Sequence, residues 1–196
     1  MRIHRQIVAY HGCLVDRFER ALLLNEHPLY SDEPYDWLGR GLYFWEHGPH
    51  RALDWAKQKA KREKRPDSEA RVLGAVINLG RCLDLMDVQA TGDLELAFEG
   101  LRADFADAGL PLPENRRGRR GDEDRILRFL DCAVVNLAAE QAAAAGRPVQ
   151  TVRAAFWEGG DAFPGAAIQR ESHIQVSVRD TNTILHYFNG MNDAVR

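Results

Sequence analysis

The chain has 196 residues, 45% apolar and 28% charged, with a formal net charge of −3. That near-neutral balance excludes a global field that would gather nucleic acid or membrane lipid, and no run reaches the ~18 apolar residues of a membrane span. The length fits one domain with an elaboration, and Cys13, Cys82 and Cys132, an odd set without metal-type spacing, read as reduced thiols of a cytoplasmic protein.

In chain order, MRIHRQIVAYHG lacks the long apolar stretch of a signal peptide, and its residues 3–10 read as a strand that runs into His11-Gly12. Residues 15–24 (VDRFERALLL) have helical apolar spacing, and 25–41, rich in Pro, Asp, Ser and Gly, read as a loop. Leu42-Tyr43-Phe44-Trp45 forms a strand in which Tyr43 and Trp45 point one way and Phe44 the other. Pro49 suits a first helical position, with Ala52, Leu53, Ala56 and Ala60 on one face behind it. Residues 72–80 (VLGAVINLG), β-branched and bounded by glycine, predict a buried strand from which CLDLMD continues or turns. Leu94, Phe98, Leu101 and Phe105 mark a helix, and 109–124 is a polar loop punctuated by Pro and Gly. Ile126, Leu127, Leu130, Val134, Leu137 and Ala138 mark a second helix that ends near Gly146. Strands follow at 151–157, 173–178 and 183–188. The order lacks regular βαβα alternation, so it predicts a single α+β domain over 1–196, with a mainly antiparallel sheet and a helical insertion at about 88–148.

Three segments beside predicted strands stand out: YHG (10–12), GRGLYF (39–44) and HIQVSVRD (173–180). In this order they resemble the ADP-ribosyltransferase fold, on the branch of the poly(ADP-ribose) polymerases and diphtheria toxin. That branch carries a His-Gly strand end and a Gly-x-Gly-[Ile/Leu]-Tyr-Phe segment before a helix with small residues. Its last strand opens with a catalytic Glu. Here QVSVRDTNTILHYF keeps the order of that last motif from Gln175 through Asp180 and Asn182 to Phe188, with Gln175 where the Glu would stand. The resemblance spans about 6–86 and 150–188, and 88–148 has no counterpart in it. A bacterial group of the same fold is similar in using a His-Tyr-Gln set.

The resemblance implies NAD as substrate, no metal, and a set formed by His11, Tyr43 and Gln175. His11 would hydrogen-bond the adenosine-side ribose. The Gly12 backbone would receive the nicotinamide carboxamide, and Tyr43 would stack on the nicotinamide ring. Phe44 would be core, and Trp45 would lie at the pocket edge or under the next helix. Cleavage between nicotinamide and ribose passes through a cationic transition state. Gln175 offers an acceptor oxygen and amide donors but no charge, so it would orient the ribose through its 2′-hydroxyl without acting as a base or extending chains. The implied activity is transfer of one ADP-ribose to a macromolecular acceptor, protein or nucleic acid. The implied setting is a bacterial toxin or anti-phage effector with an antitoxin or immunity partner. An NAD glycohydrolase and a non-catalytic NAD- or ADP-ribose-binding module stay open. No arginine set matches the tRNA 2′-phosphotransferase branch of the fold.

Other residues carry two readings each. Glu171, four residues before Gln175, is either an acid that reaches the same pocket or a surface acid at the strand entrance. Glu46 reads as a solvated charge, and His47 and His50 lack the further ligands of a zinc pattern. KQKAKREKR (57–65) and RRGRR (116–120) are either phosphate-backbone contacts or a solvated helix end and a loop, with no Trp or Phe interleaved. In FWEGGDAFPG (156–165), Trp157, Glu158 and Phe163 either shape acceptor access or form a turn with buried aromatics.

Overall fold

The structure, a computed structural model, describes residues 2–118 and 126–191. Strand β1 (Arg2–Leu14) leads directly into helix α1 (Val15–Leu24), which buries Phe18 and Ala21 and stops where Asn25 turns left-handed at φ 54°. Strand β2 (Leu42–Glu46) follows the loop over 25–41. Helix α2 (Pro49–Arg62) starts on its proline and buries Ala52, Ala56 and Ala60, a small-residue stripe that lets its backbone lie close on the sheet. The closeness is absolute at Gly12, where a Cβ would stand 2.1 Å from the Ala52 carbonyl oxygen. Strand β3 (Ala70–Asp84) is one 15-residue strand, so CLDLMD continues it before turning.

The remaining elements are α3 (Val88–Asp107), β4 (Asn115–Arg116), β5 (Leu127–Arg128), α4 (Phe129–Ala144), β6 (Thr151–Phe156), β7 (His173–Val178) and β8 (Ile184–Asn189). The Asp87 side chain caps α3 by accepting from the Gln89 N–H at 2.9 Å. The cap of α4 comes from afar: Asn115 Oδ1 accepts from the N–H groups of Leu130 (2.9 Å) and Asp131 (3.2 Å). Pairing of β4 with β5 brings Asn115 there. It also corrects the expected helix start: Ile126 and Leu127 precede α4, and Leu127 sits in the β4–β5 ladder.

The fold is α+β, with a mixed, mostly antiparallel six-stranded sheet in the order β1-β2-β7-β6-β3-β8. Residues Cys82–Asp84 of β3 run parallel to Thr151–Arg153 of β6, and the segment carrying α3 and α4 makes that crossover. β1 also pairs with β3 along most of its length, so the sheet curls back on itself. Its inner face gathers Ile7, Ala9, Leu42, Phe44, Leu73, Ile77, Val176 and Val178 into the main core, covered by Phe18 and Ala21 of α1. Phe44 is fully buried, as its alternate position in β2 predicts, and burial of such a ring contributes about 1.5–3 kcal/mol. The outer face of β6 and β2 packs Val152, Ala154, Phe156 and Tyr43 against Val134, Val135 and Ala138 of α4 and Ala97 of α3.

Candidate active site

Register decides which side chains meet. β2 pairs with β7 so that Tyr43 lies opposite Ser177 and Trp45 opposite Gln175. Gly41 permits that approach, since a Cβ there would stand 2.0 Å from the Ser177 hydroxyl oxygen. Tyr43, Trp45, Gln175 and Ser177 therefore leave the sheet on the same outer face. On the other side of β2, the β1 ladder holds only Ala9 against Glu46 and Tyr10 against Trp45. Beyond that point the His11 ring bridges the strands: its Nδ1–H donates to the Tyr43 carbonyl at 2.8 Å.

This brings the three sequence-derived residues onto adjacent strands, around the point where the β1–β2 ladder ends. They do not share one wall. His11 follows Ile7 and Ala9 onto the inner face and packs against Phe44 at 5.7 Å between ring centroids. Burial, helped by the charge of Lys59, pushes its pKa down to about 4, so the ring is neutral at pH 7 and its Nε2 is an acceptor. Tyr43 is partly buried, with its hydroxyl committed: it accepts from the Leu38 N–H at 2.9 Å and donates to the Gly39 carbonyl at 2.6 Å. Burial raises its pKa. Trp45 is buried beneath α2 beside Ala52, which selects the second of its two sequence readings.

The Gln175 end of the same strand pair is different. Gln175 Oε1 and Trp45 Nε1 are buried without a hydrogen-bond partner, although their residues are direct cross-strand neighbours. A third such atom, His173 Nε2, lies two residues back along β7 on the same face. The His173 side chain is 5% exposed and boxed by aromatic rings: Phe156 at 5.8 Å, Trp37 stacked at 6.2 Å and Trp45 at 6.5 Å. Its Nδ1–H donates to the Glu171 carbonyl at 2.6 Å, and a Glu158 carboxylate oxygen stands 3.6 Å from the same nitrogen. Burial holds its pKa below the usual histidine value. Sequence reading missed His173, although period-two alternation from Gln175 pointed to it.

Around this row the structure places the residues that carried two readings. Glu171 is half-exposed at the entrance to β7 and ion-paired with Arg51 at 3.0 Å. Arg51 also holds Glu158 at 3.1 Å, and Glu158 is buried, whereas Trp157 and Phe163 are exposed. Glu46 is not solvated: it is buried on the inner face, gripped by Arg153 at 2.6 Å, because Arg153 on β6 reaches the same face. The basic end of α2 does carry an aromatic: Trp55 is 39% exposed, with the Arg62 guanidinium 4.6 Å over its ring, and it lies 6.1 Å from Trp45. Within RRGRR, residues 119 and 120 lie outside the described residues.

A groove of about 670 Å3 runs between α3, α4 and the outer face, walled by Trp37, Phe98, Val134, Ala154 and Phe156. It adjoins the polar row, because Ala154 pairs with Gln175 and both Trp37 and Phe156 touch His173. At its rim Arg128 lies 4.1 Å over Trp37 and 4.7 Å over Phe156. The three cysteines are buried as free thiols; burial raises Cys13 to about 12 and Cys82 and Cys132 to about 11, which removes thiolate chemistry at neutral pH. Among the described residues there is no metal-holding group of three or more His, Cys, Asp or Glu, and no helix long and apolar enough to cross a membrane. In comparisons with known protein families, curated proteins and solved structures, no match to this chain was found.

Proposed function

We propose that the chain is an NAD-dependent mono-ADP-ribosyltransferase with the ADP-ribosyltransferase fold, acting through His11, Tyr43 and Gln175. The observation that carries this reading is the pair of orphaned atoms on the outer face, Gln175 Oε1 and Trp45 Nε1. A buried acceptor and a buried donor each lose about 1–3 kcal/mol if left unpaired. A hydroxyl has both functions this pair lacks: it can donate to the Gln175 oxygen and accept from the Trp45 N–H. A ribose 2′-hydroxyl is such a group, and held there it fixes the sugar for cleavage of its bond to nicotinamide. Gln175 places dipolar density, not charge, beside the developing cation. The neutral His11 ring, on the opposite face of the sheet beside Phe44, acts by bonding the Tyr43 carbonyl and so positioning β2 next to Gln175. The adjoining groove has the volume and apolar lining of a small-molecule site.

Liquid chromatography of nicotinamide released from NAD, with and without cell lysate, tests the proposal. Nicotinamide release with ADP-ribose adducts on lysate macromolecules supports the transferase. Free ADP-ribose alone makes the protein a glycohydrolase, and NAD binding without release makes it a binding module. Neither binding nor release overturns the reading.

A further inference from the structure

Gln175 cannot take a proton from an acceptor, so a transferase built on it needs a base elsewhere. The acids nearby are committed: Arg51 holds both Glu158 and Glu171. His173 is not. Its Nδ1–H is fixed on the Glu171 carbonyl, which accepts only, so the tautomer leaves a lone pair on Nε2. That nitrogen is buried without a partner, and the side chain is 5% exposed. The ring is held by Trp37, Phe156 and Trp45, and it shares the face of β7 that carries Gln175, about 7 Å along the strand.

Resting on the transferase reading above, we propose that His173 is a second catalytic residue, whose Nε2 takes the proton from a hydroxyl acceptor as that oxygen bonds to the ribose C1′ of NAD. The step balances. The acceptor oxygen's lone pair forms the new C1′–O bond, the old C1′–N pair goes to the nicotinamide ring nitrogen and neutralises it, and the proton moves to His173. The resulting imidazolium faces Glu158 and Glu171, with Arg51 from α2 and Arg128 ahead of α4 opposing it; it then returns the proton to water. A neutral base suits a neutral O–H acceptor. A carboxylate acceptor has no proton to give up.

The test uses wild-type protein, His173→Gln, and His173→Phe as a variant that keeps the aromatic box filled. NAD binding by calorimetry and melting temperature check each variant. Methanol serves as the probe acceptor, with methyl ADP-riboside and ADP-ribose both quantified. The expected result is unchanged NAD affinity in the folded variants, with C1′ transfer to methanol and water reduced about a hundredfold. The wild-type rate should fall in acid, at a pH below the usual histidine range, as the base protonates, and His173→Gln should lose that acid limb. An acid limb that persists in His173→Gln belongs to another group and overturns the proposal, as does unchanged transfer in either variant. If both variants fail to fold, the wild-type linkage to lysate acceptors decides. An acetal stable to neutral hydroxylamine is expected, and a hydroxylamine-labile ester overturns the hydroxyl assignment. Wild-type protein that neither binds nor cleaves NAD sinks the transferase reading itself, a result distinct from all of these.

Discussion

Trp45 and Glu46 are neighbours in sequence and equally buried, at 5% and 7% exposure, yet they sit on opposite faces of β2 in opposite conditions. On the inner face the buried charges Glu46 and Arg153 are paired. Arg153 donates to both Glu46 carboxylate oxygens, at 2.6 and 3.2 Å, and to both Asp84 oxygens at 3.2 and 3.1 Å, while Arg5 adds a contact to Glu46 at 3.3 Å. On the outer face Trp45, Gln175 and His173 each keep a buried polar atom without a partner. Folded chains tolerate few such atoms. The contrast separates polar groups that hold the sheet together from buried polar atoms that no protein group answers, within two residues of one strand.

Breaking the answered face should cost most. Arg153→Met leaves buried Glu46 with only its contact to the half-exposed Arg5, so denaturant midpoints should show a loss of about 3–5 kcal/mol. A loss below 1 kcal/mol would place the network with ordinary surface pairs. Tyr43→Phe comes next, since it strips one hydroxyl that both accepts from Leu38 and donates to Gly39. A loss of about 1–3 kcal/mol is expected by the same measurement; no loss would mean that the loop before β2 does not depend on that pin.

Acid should probe both faces through their histidines. His11 titrates near 4 in the folded state against 6.5 in the unfolded chain, and His173 is shifted in the same direction. The unfolded state therefore binds protons first as pH falls. The His11 contribution is complete above pH 6.5 and declines as pH drops toward about 4, and His173 adds to it in the same direction. Unfolding curves at pH 7, 6, 5 and 4 should show that decline, and His11→Asn should flatten part of it. A decline of the same size in His11→Asn would place the cause in other groups.

Periodicity made most elements legible. The helical faces of α1, α2 and α3 and the alternation of β2 were all readable from local spacing. Contacts across long sequence gaps were not. Nothing local announces that Arg153 will lie on Glu46, or that Asn115 will cap α4 and draw Leu127 into a hairpin. The same limit hid the site's character. Gln175 was found by motif order, but the missing partner of its oxygen and the tautomer of His173 exist only once β2, β7 and the Glu171 carbonyl are assembled. Tyr43 shows the reverse case: its ring position was legible, and the commitment of its hydroxyl to the preceding turn was not.

The smallest effect on stability should fall where the effect on function is large. Gln175→Met keeps the side-chain length and removes an orphaned acceptor, so its melting temperature should match or exceed that of the wild type. Nicotinamide release measured on the same preparation should fall about ten- to a hundredfold, the loss of one or two polar contacts worth ~1–3 kcal/mol in the transition state. A Gln175→Met protein with wild-type turnover, or one that melts well below the wild type, would contradict the claim that this row of unpartnered atoms is kept for substrate.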